Sequence, residues 1–379
     1  MTDDLLYDCA IIGGGLAGLT LAIQLSKKQY KVILFEKEQY PFHKVCGEYI
    51  SLESKDFLER LGLPIGDMNL PIIKKLIVSS PNGNSLQEQL PLGGFGISRY
   101  RIDNELKQIA QKHGTVVMEH CKVEEAILSN DLFAIQTSCG IFKSKVCCGS
   151  FGKRSNFDVR WKRSFIQKAN SKLNNYIGVK YHIQTDFPAD SIALHNFKDG
   201  YCGISRIEDG KYCLCYLTNA ANLKNSDNSI EQMEKDVLSV NPFLKNIFET
   251  STKLFDQPVS ISQISFMQKT QVERNILMIG DAAGMITPLC GNGMSMAMHG
   301  SKIAARLIDE FLPGNISRAE MEVAYSRQWN KTFGNRLRTG RAIQRFFGKI
   351  WMTNLFIRTM KLSPQFTKWL IRQTHGESF

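Results

Sequence analysis

Two short stretches hold most of the chemistry that can be read from this sequence. Gly13-Gly14-Gly15-Leu16-Ala17-Gly18 fits the spacing G-x-G-x-x-G, between the apolar run Cys9–Ile12 and the helical pattern Leu19, Ala22, Ile23, Leu25. At that spacing the glycines allow a tight turn, close approach of backbone to a pyrophosphate, and close helix–strand packing. The amides and dipole of the following helix N-terminus then attract phosphate. Glu36 ends the next apolar run, Val32–Phe35, where a carboxylate can accept from a ribose 2′-hydroxyl and repels a 2′-phosphate. Gly13, Gly15, Leu16, Ala17, Gly18, Glu36 and Lys37 are thus the candidate contacts of a dinucleotide, and the residues alone leave NAD and FAD both open.

The second stretch is MIGDAAGMITPLCGNGM, Met278 to Met294. An apolar run, Ile276–Ile279, ends at Gly280-Asp281, and a helical pattern opens near Gly291–Gly293. The stretch has no histidine, no lysine and no nucleophile beside a base. It offers bare amides at a helix start and one carboxylate, Asp281, able to accept from a sugar hydroxyl or a phosphate-bound water.

Together these motifs resemble the FAD-dependent oxidoreductases of the p-hydroxybenzoate hydroxylase fold, and the geranylgeranyl reductase-like subgroup most. HKVCGEYIS (His43–Ser51) resembles that subgroup's K-x-C-G loop, which lies along the flavin and implies contacts from Cys46 and Gly47. SRYRIDNELKQIA resembles its R-x-x-x-D-x-x-L segment, which implies Arg99 near the cofactor. The resemblance implies FAD as cofactor, with Gly280 and Asp281 toward the ribityl and pyrophosphate. It also implies Pro288 near the isoalloxazine, and the amides of Gly291, Asn292, Gly293 and Met294 at the pyrimidine edge of the reduced ring. Cys46, Pro288 and Gly293 are the flavin-proximal candidates for catalysis. In this chemistry the cofactor moves the electrons and the protein positions the substrate and excludes water.

Two departures from the family pattern matter. Phe151, in Gly149-Ser150-Phe151-Gly152, stands where flavin hydroxylases carry an aspartate. That substitution argues against the usual mode of NAD(P)H use and implies another electron donor or a relocated nicotinamide site. In DGYCGISRIEDGKYCLCYL, Tyr201 and Gly203 fill the Tyr and Trp slots of the prenyl reductases, and Ser205-Arg206 replace Phe-Pro. Tyr201, Gly203 and Ser205 are the candidate substrate contacts. Halogenation is disfavoured, since the halogenase lysine has no clear counterpart.

The elements that position these residues form an α/β fold. A Rossmann-like FAD-binding domain spans 1–160 and 271–325, an antiparallel β-sheet substrate domain spans 161–270, and a basic amphipathic helical tail spans 326–379. At 379 residues, 43% apolar and 22% charged, the chain can build a sizeable core. The net charge of +11 is lodged in the tail: from Arg327 onward eleven Lys/Arg against Glu377 give +10, leaving +1 for the other 326 residues. Trp351, Leu355 and Phe356 beside basic residues suit a membrane surface, an acyl carrier protein or plain packing. Ten cysteines without zinc-like pairs, no basic leader before an apolar stretch and no long apolar run predict a cytoplasmic protein, with peripheral membrane attachment as the alternative. No metal cluster, hydrolytic triad or nucleic-acid motif is read. The expected function is an FAD-dependent monooxygenase acting on a lipophilic aromatic, polyketide or isoprenoid. The alternatives are a reductase that saturates alkenes and a flavin-retaining binding protein without catalysis.

Overall fold

The computed structural model describes residues 6–167, 175–285, 292–346, 350–363, 365, 367, 378 and 379. Two sheets organise it. The first runs, in spatial order, Val272–Glu273, Ile276–Met278, Gly140–Gly149, Leu6–Ile12, Val32–Phe35, Val116–Met118, with the hairpin Val123–Ser129/Leu132–Thr137 attached to Gly140–Gly149. Its centre is parallel: Leu6–Ile12 pairs in parallel with both Val32–Phe35 and Gly140–Gly149. Val32–Phe35 is buried on both faces and Leu6–Ile12 nearly so, as expected of strands covered by helices on each side.

The second sheet runs Thr252–Lys253, Tyr176–Gln184, Tyr212–Asn219, Gly200–Arg206, Ser191–Phe197, Ile72–Ser79, Ser85–Gly96, Tyr49–Ser51. It is antiparallel except where Ser191–Phe197 pairs in parallel with Ile72–Ser79. Three of its strands therefore come from residues 49–96, inside the stretch that the sequence assigns to the cofactor domain. That single parallel ladder makes the two regions one continuous sheet.

Because side chains alternate along strands, one face of this sheet carries Lys180, His182, Cys213, Cys215, Leu217, Tyr201, Gly203, Ser205 and Leu194. The opposite face carries Val179, Tyr181, Leu214, Tyr216 and Ile204, which pack with Met233, Leu238, Leu244 and Ile247 into a separate core. The first face looks toward the cofactor motifs.

The long helix Arg318–Phe346 is a packed element. Met321, Tyr325, Trp329, Phe333 and Leu337 recur every four residues and are all buried against the first sheet's core. Trp329 fills a notch of glycines: a Cβ on Gly284 would lie 2.6 Å from its ring, and one on Gly300 would lie 3.7 Å away. The following helix, Ile350–Leu362, buries Thr353, Ile357 and Met360 and leaves Trp351, Leu355 and Leu362 exposed. No helix among the described residues is long and apolar enough to cross a membrane.

Candidate active site

The glycine turn forms because its positions admit little else. Gly13 has φ +106°, and a Cβ there would lie 2.5 Å from the Ser150 carbonyl oxygen. Gly15 is the N-cap of the helix Leu16–Lys27 and supplies no side-chain cap, so the first amides of that helix stay open. A Cβ on Gly15 would meet only the Arg99 Nη2, at 3.4 Å. The helix Gly293–Phe311 likewise begins at Asn292 without a side-chain cap. The two helices pack together, and a Cβ on Gly280 would lie 3.0 Å from Ala17 and 3.5 Å from Ala297. Two uncapped helix N-termini thus converge beside Gly280-Asp281, a donor set suited to a pyrophosphate.

Charged groups surround the turn. The Glu36 carboxylate accepts from the Gly14 amide at 3.0 Å and the Glu38 amide at 3.2 Å. Lys44 Nζ lies 3.7 Å from Glu36, 3.1 Å from Asp103 and 3.2 Å from the Gly14 carbonyl oxygen. Arg99 is fixed at the start of its helix by the Ser98 N-cap and grips Asp103 with two bonds, of 2.9 and 2.7 Å. Burial works against the Arg99 charge, but Asp103 outweighs it and holds the guanidinium above its ordinary range. Lys37 faces the surface beside Glu38 at 3.4 Å, away from this network.

The loop at Cys46 is held carbonyl by carbonyl. Lys180 Nζ donates to the Lys44 oxygen at 3.2 Å, and Lys153 Nζ to the Val45 oxygen at 2.7 Å. Cys213 Sγ donates to the Cys46 oxygen at 3.2 Å, and Ser205 Oγ to the Gly47 oxygen at 3.3 Å. Four consecutive carbonyls are so taken by four side chains, two of them from adjacent strands of the second sheet. Cys46 Sγ itself points to the other side and reaches Met294 Sδ at 3.5 Å, in the first turn of Gly293–Phe311.

Behind the loop sits a buried ionic triad that the sequence reading missed. Glu48 receives Lys180 Nζ on one oxygen and His182 Nε2 on the other, the latter at 2.6 Å. Arg99 donates its amide to the same carboxylate at 2.8 Å. Burial alone would raise the Glu48 pKa; Lys180 and His182 overcome it and pull the group down to about 2. Glu48, His182 and Cys213 also bring O, N and S atoms within 4.8 Å of one another, the spacing of a metal donor set. The Lys180 ammonium on Glu48 already supplies positive charge there. The available signal was the alternation Lys180-Tyr181-His182, two polar residues on one face of an otherwise apolar strand.

Of the candidate substrate contacts, Tyr201 is buried with Leu194, Leu217, Ile264, Phe266 and Met285, and Gly203 and Ser205 follow it on the same face. Phe151 stacks on Phe157 with centroids 5.6 Å apart and meets the edge of Trp161 at 6.5 Å, so it serves packing where the family's aspartate would be polar. Pro288 and Gly291 lie outside the described residues.

With this geometry in view, comparison with known proteins is informative. Residues 11–45 match the family model of NAD(P)-binding Rossmann-like domains, and residues 208–330 match that of squalene epoxidase. Conditioned medium factor receptor 1 of Dictyostelium discoideum is 23% identical, over 88% of this chain and 69% of its own length. The 1H-pyrrole-2-carbonyl-[peptidyl-carrier protein] brominase of Pseudoalteromonas luteoviolacea is 23% identical, over 82% and 79%. The digeranylgeranylglycerophospholipid reductase of Methanosarcina acetivorans is 25% identical, over 87% and 82%. Among solved structures, the flavin-dependent brominase Bmp2 superposes with a TM-score of 0.79 at 21% identity, covering 98% of this chain and 93% of that one. A geranylgeranyl bacteriochlorophyll reductase-like protein from Thermoplasma acidophilum gives 0.81 at 17% identity, covering 99% and 96%.

By fold the chain is an FAD-dependent oxidoreductase of the superfamily that holds the geranylgeranyl reductase-like proteins and the p-hydroxybenzoate hydroxylase fold. The cofactor of such an enzyme is FAD, and the residues present fit it: two open helix N-termini, a glycine position with free space on its Cβ side, and Arg99 beside that space.

Proposed function

We propose that the chain is a monooxygenase that transfers oxygen to a hydrophobic aromatic, polyketide or isoprenoid substrate. The apolar wall of Leu194, Tyr201, Leu217, Ile264, Phe266 and Met285 carries this reading. It lies on the sheet face that also holds the Cys46 loop, and Met285 follows Asp281 by four residues. The match of residues 208–330 to squalene epoxidase supports oxygen transfer to a hydrocarbon.

Bound FAD would supply two-electron transfer and, once reduced, reactivity toward oxygen. The chain's own residues do the rest. The helix N-termini at Gly15 and Asn292 offset the negative charge of the cofactor, and Arg99, held by Asp103, adds a fixed positive charge. The four side chains on carbonyls 44 to 47 fix the loop that bears Cys46. The apolar wall holds the substrate and excludes water. Phe151, locked in its aromatic stack, offers a nicotinamide no polar contact, so reduction by a donor other than NAD(P)H bound in the usual manner belongs to this reading.

Cys46 on its K-x-C-G loop and the digeranylgeranylglycerophospholipid reductase relatives favour a second reading, alkene saturation. The two separate on one experiment: chemical reduction of the anaerobic holoenzyme, then rapid mixing with oxygen while spectra are recorded. A transient species between reduced and oxidised flavin supports oxygen transfer. Direct return to oxidised flavin supports alkene reduction, and flavin that no donor reduces supports a binding protein. A substrate that gains bromine when bromide is supplied would move the reading to the brominase relatives. The helix Ile350–Leu362, with exposed Trp351, Leu355 and Leu362 beside Arg358 and Lys361, is proposed to rest on an anionic membrane surface, with carrier-protein docking as the competing outcome.

A further inference from the structure

We propose that His182, Glu48 and Lys180 form a proton relay from the solvent-facing edge at His43 and Tyr100 to the cofactor side of the Cys46 loop. The inference rests on FAD binding and not on the choice between oxygen transfer and alkene reduction.

The triad is poorly explained as a stabilising device. Its Lys180 and Glu48 side chains are fully buried, and His182 is 6% exposed. Buried ion pairs lose in desolvation about what they gain in attraction, and apolar replacements often do as well. One carboxylate shared by two basic groups is instead an arrangement that holds a transferable proton. It lies between Nζ on one carboxylate oxygen and Nε2 on the other.

Both ends of the chain of groups are placed for transfer. On the outer side, the His182 ring meets the His43 ring edge-on with centroids 5.0 Å apart, and both pack on Phe255 at 4.9 and 4.5 Å. His43 stacks on Tyr100 at 4.7 Å, and Tyr100 is 42% exposed. His43 Nδ1 is buried without a hydrogen-bond partner among the described residues, a position open to a water. Burial first, then Lys180 and His182, lower the His43 pKa to about 4, so its ring is neutral near pH 7 and able to accept a proton. On the inner side, Lys180 donates to the Lys44 carbonyl and lies beside Cys213, which bonds the Cys46 carbonyl.

The chemistry calls for such a path. Reduction of FAD to its anionic reduced form consumes two electrons and one proton, in a site from which water is excluded. The Lys180 ammonium releases the proton inward. Its amine recovers one from Glu48, which takes it from His182 Nε2, and His182 recovers one from solvent past His43. The triad ends with the charge it began with.

The test uses the full FAD-loaded chain, mixed anaerobically with two equivalents of reduced methyl viologen in weakly buffered solution containing a pH indicator. The viologen delivers electrons and no protons, and neither substrate nor oxygen is needed. In the wild type, proton uptake keeps pace with flavin bleaching. In His182→Gln, whose amide can still donate to Glu48, FAD is retained while proton uptake lags by about tenfold or more, and added imidazole restores it. Uptake at the wild-type rate in FAD-loaded His182→Gln overturns the relay and leaves the monooxygenase reading standing. Should that variant lose FAD, His43→Gln at the half-buried rim decides: slowed uptake supports the relay, and an unchanged rate overturns it. A wild-type chain that binds no FAD overturns both readings.

Discussion

Replacing Lys180 by methionine isolates the energetics of the buried triad. Methionine fills much of the lysine stem's volume but removes the ammonium, leaving Glu48 with His182 and the Arg99 amide. The depression of the Glu48 pKa from 4.5 to about 2 corresponds to roughly 3 kcal/mol of favourable interaction with its partners. Removing one member of a buried pair typically costs about 3–5 kcal/mol, because the remaining charge stays desolvated. A loss of about 3 kcal/mol is therefore expected for Lys180→Met at pH 7, read as a shift of the urea midpoint without a change in slope. The sign of the pH dependence is fixed. The folded pKa of Glu48 is depressed, so its contribution is present above about 4.5 and lost as pH falls toward about 2. The folded pKa of Lys180 is raised, its pairing with Glu48 outweighing burial, so its contribution is present below 10.5 and lost only above that. The gap between wild type and variant should be widest near neutrality and should close in acid. Adding Glu48→Gln to Lys180→Met should restore most of the loss, since no unpaired charge is then buried. A loss under about 1 kcal/mol, or a gap that persists at pH 2–3, would refute the reasoning.

Gly15→Val should give a folded protein that purifies without flavin, with affinity down at least about 100-fold, because the new side chain enters space that only Arg99 borders. Gly13→Ala should instead destabilise the fold itself, since its Cβ meets a carbonyl 2.5 Å away at a positive φ; thermal unfolding with FAD absorbance separates the two. Trp329→Ala should cost about 3–5 kcal/mol by emptying the notch over Gly284 and Gly300, measurable by urea denaturation. Trp351→Ser with Leu355→Ser should abolish co-sedimentation with anionic vesicles and leave FAD content unchanged. Wild-type binding that is equal on neutral and anionic vesicles would count against the charge-based docking of this helix.

Short-range motifs were legible because each is read within a few residues. The turn Gly13–Gly18, the helix it opens and the strand before Glu36 need only local backbone rules, so spacing and glycine content point to them directly. The helix start at Gly293 and the strand Ile276–Met278 are legible for the same reason. The basic charge of the tail is a matter of counting. Its structural role is not: the stripe Met321, Tyr325, Trp329, Phe333, Leu337 announces an amphipathic helix, but the glycine notch that receives Trp329 lies up to 45 residues earlier and is known only from packing.

Tertiary structure alone decided the rest, and the reason is sequence distance. Glu48 meets Lys180 and His182 across 132 and 134 residues, and Cys213 reaches the Cys46 carbonyl across 167. No local preference signals such pairings; they exist because the parallel ladder between Ile72–Ser79 and Ser191–Phe197 ties the early strands to the later sheet. Through that sheet the Cys46 loop lies against the face that carries Lys180, His182, Cys213 and Ser205. The sequence by itself determined the dinucleotide cradle and the kind of cofactor it suits. Which side chains grip the loop beside it was decided by non-local strand pairing, which brings distant residues within bonding distance.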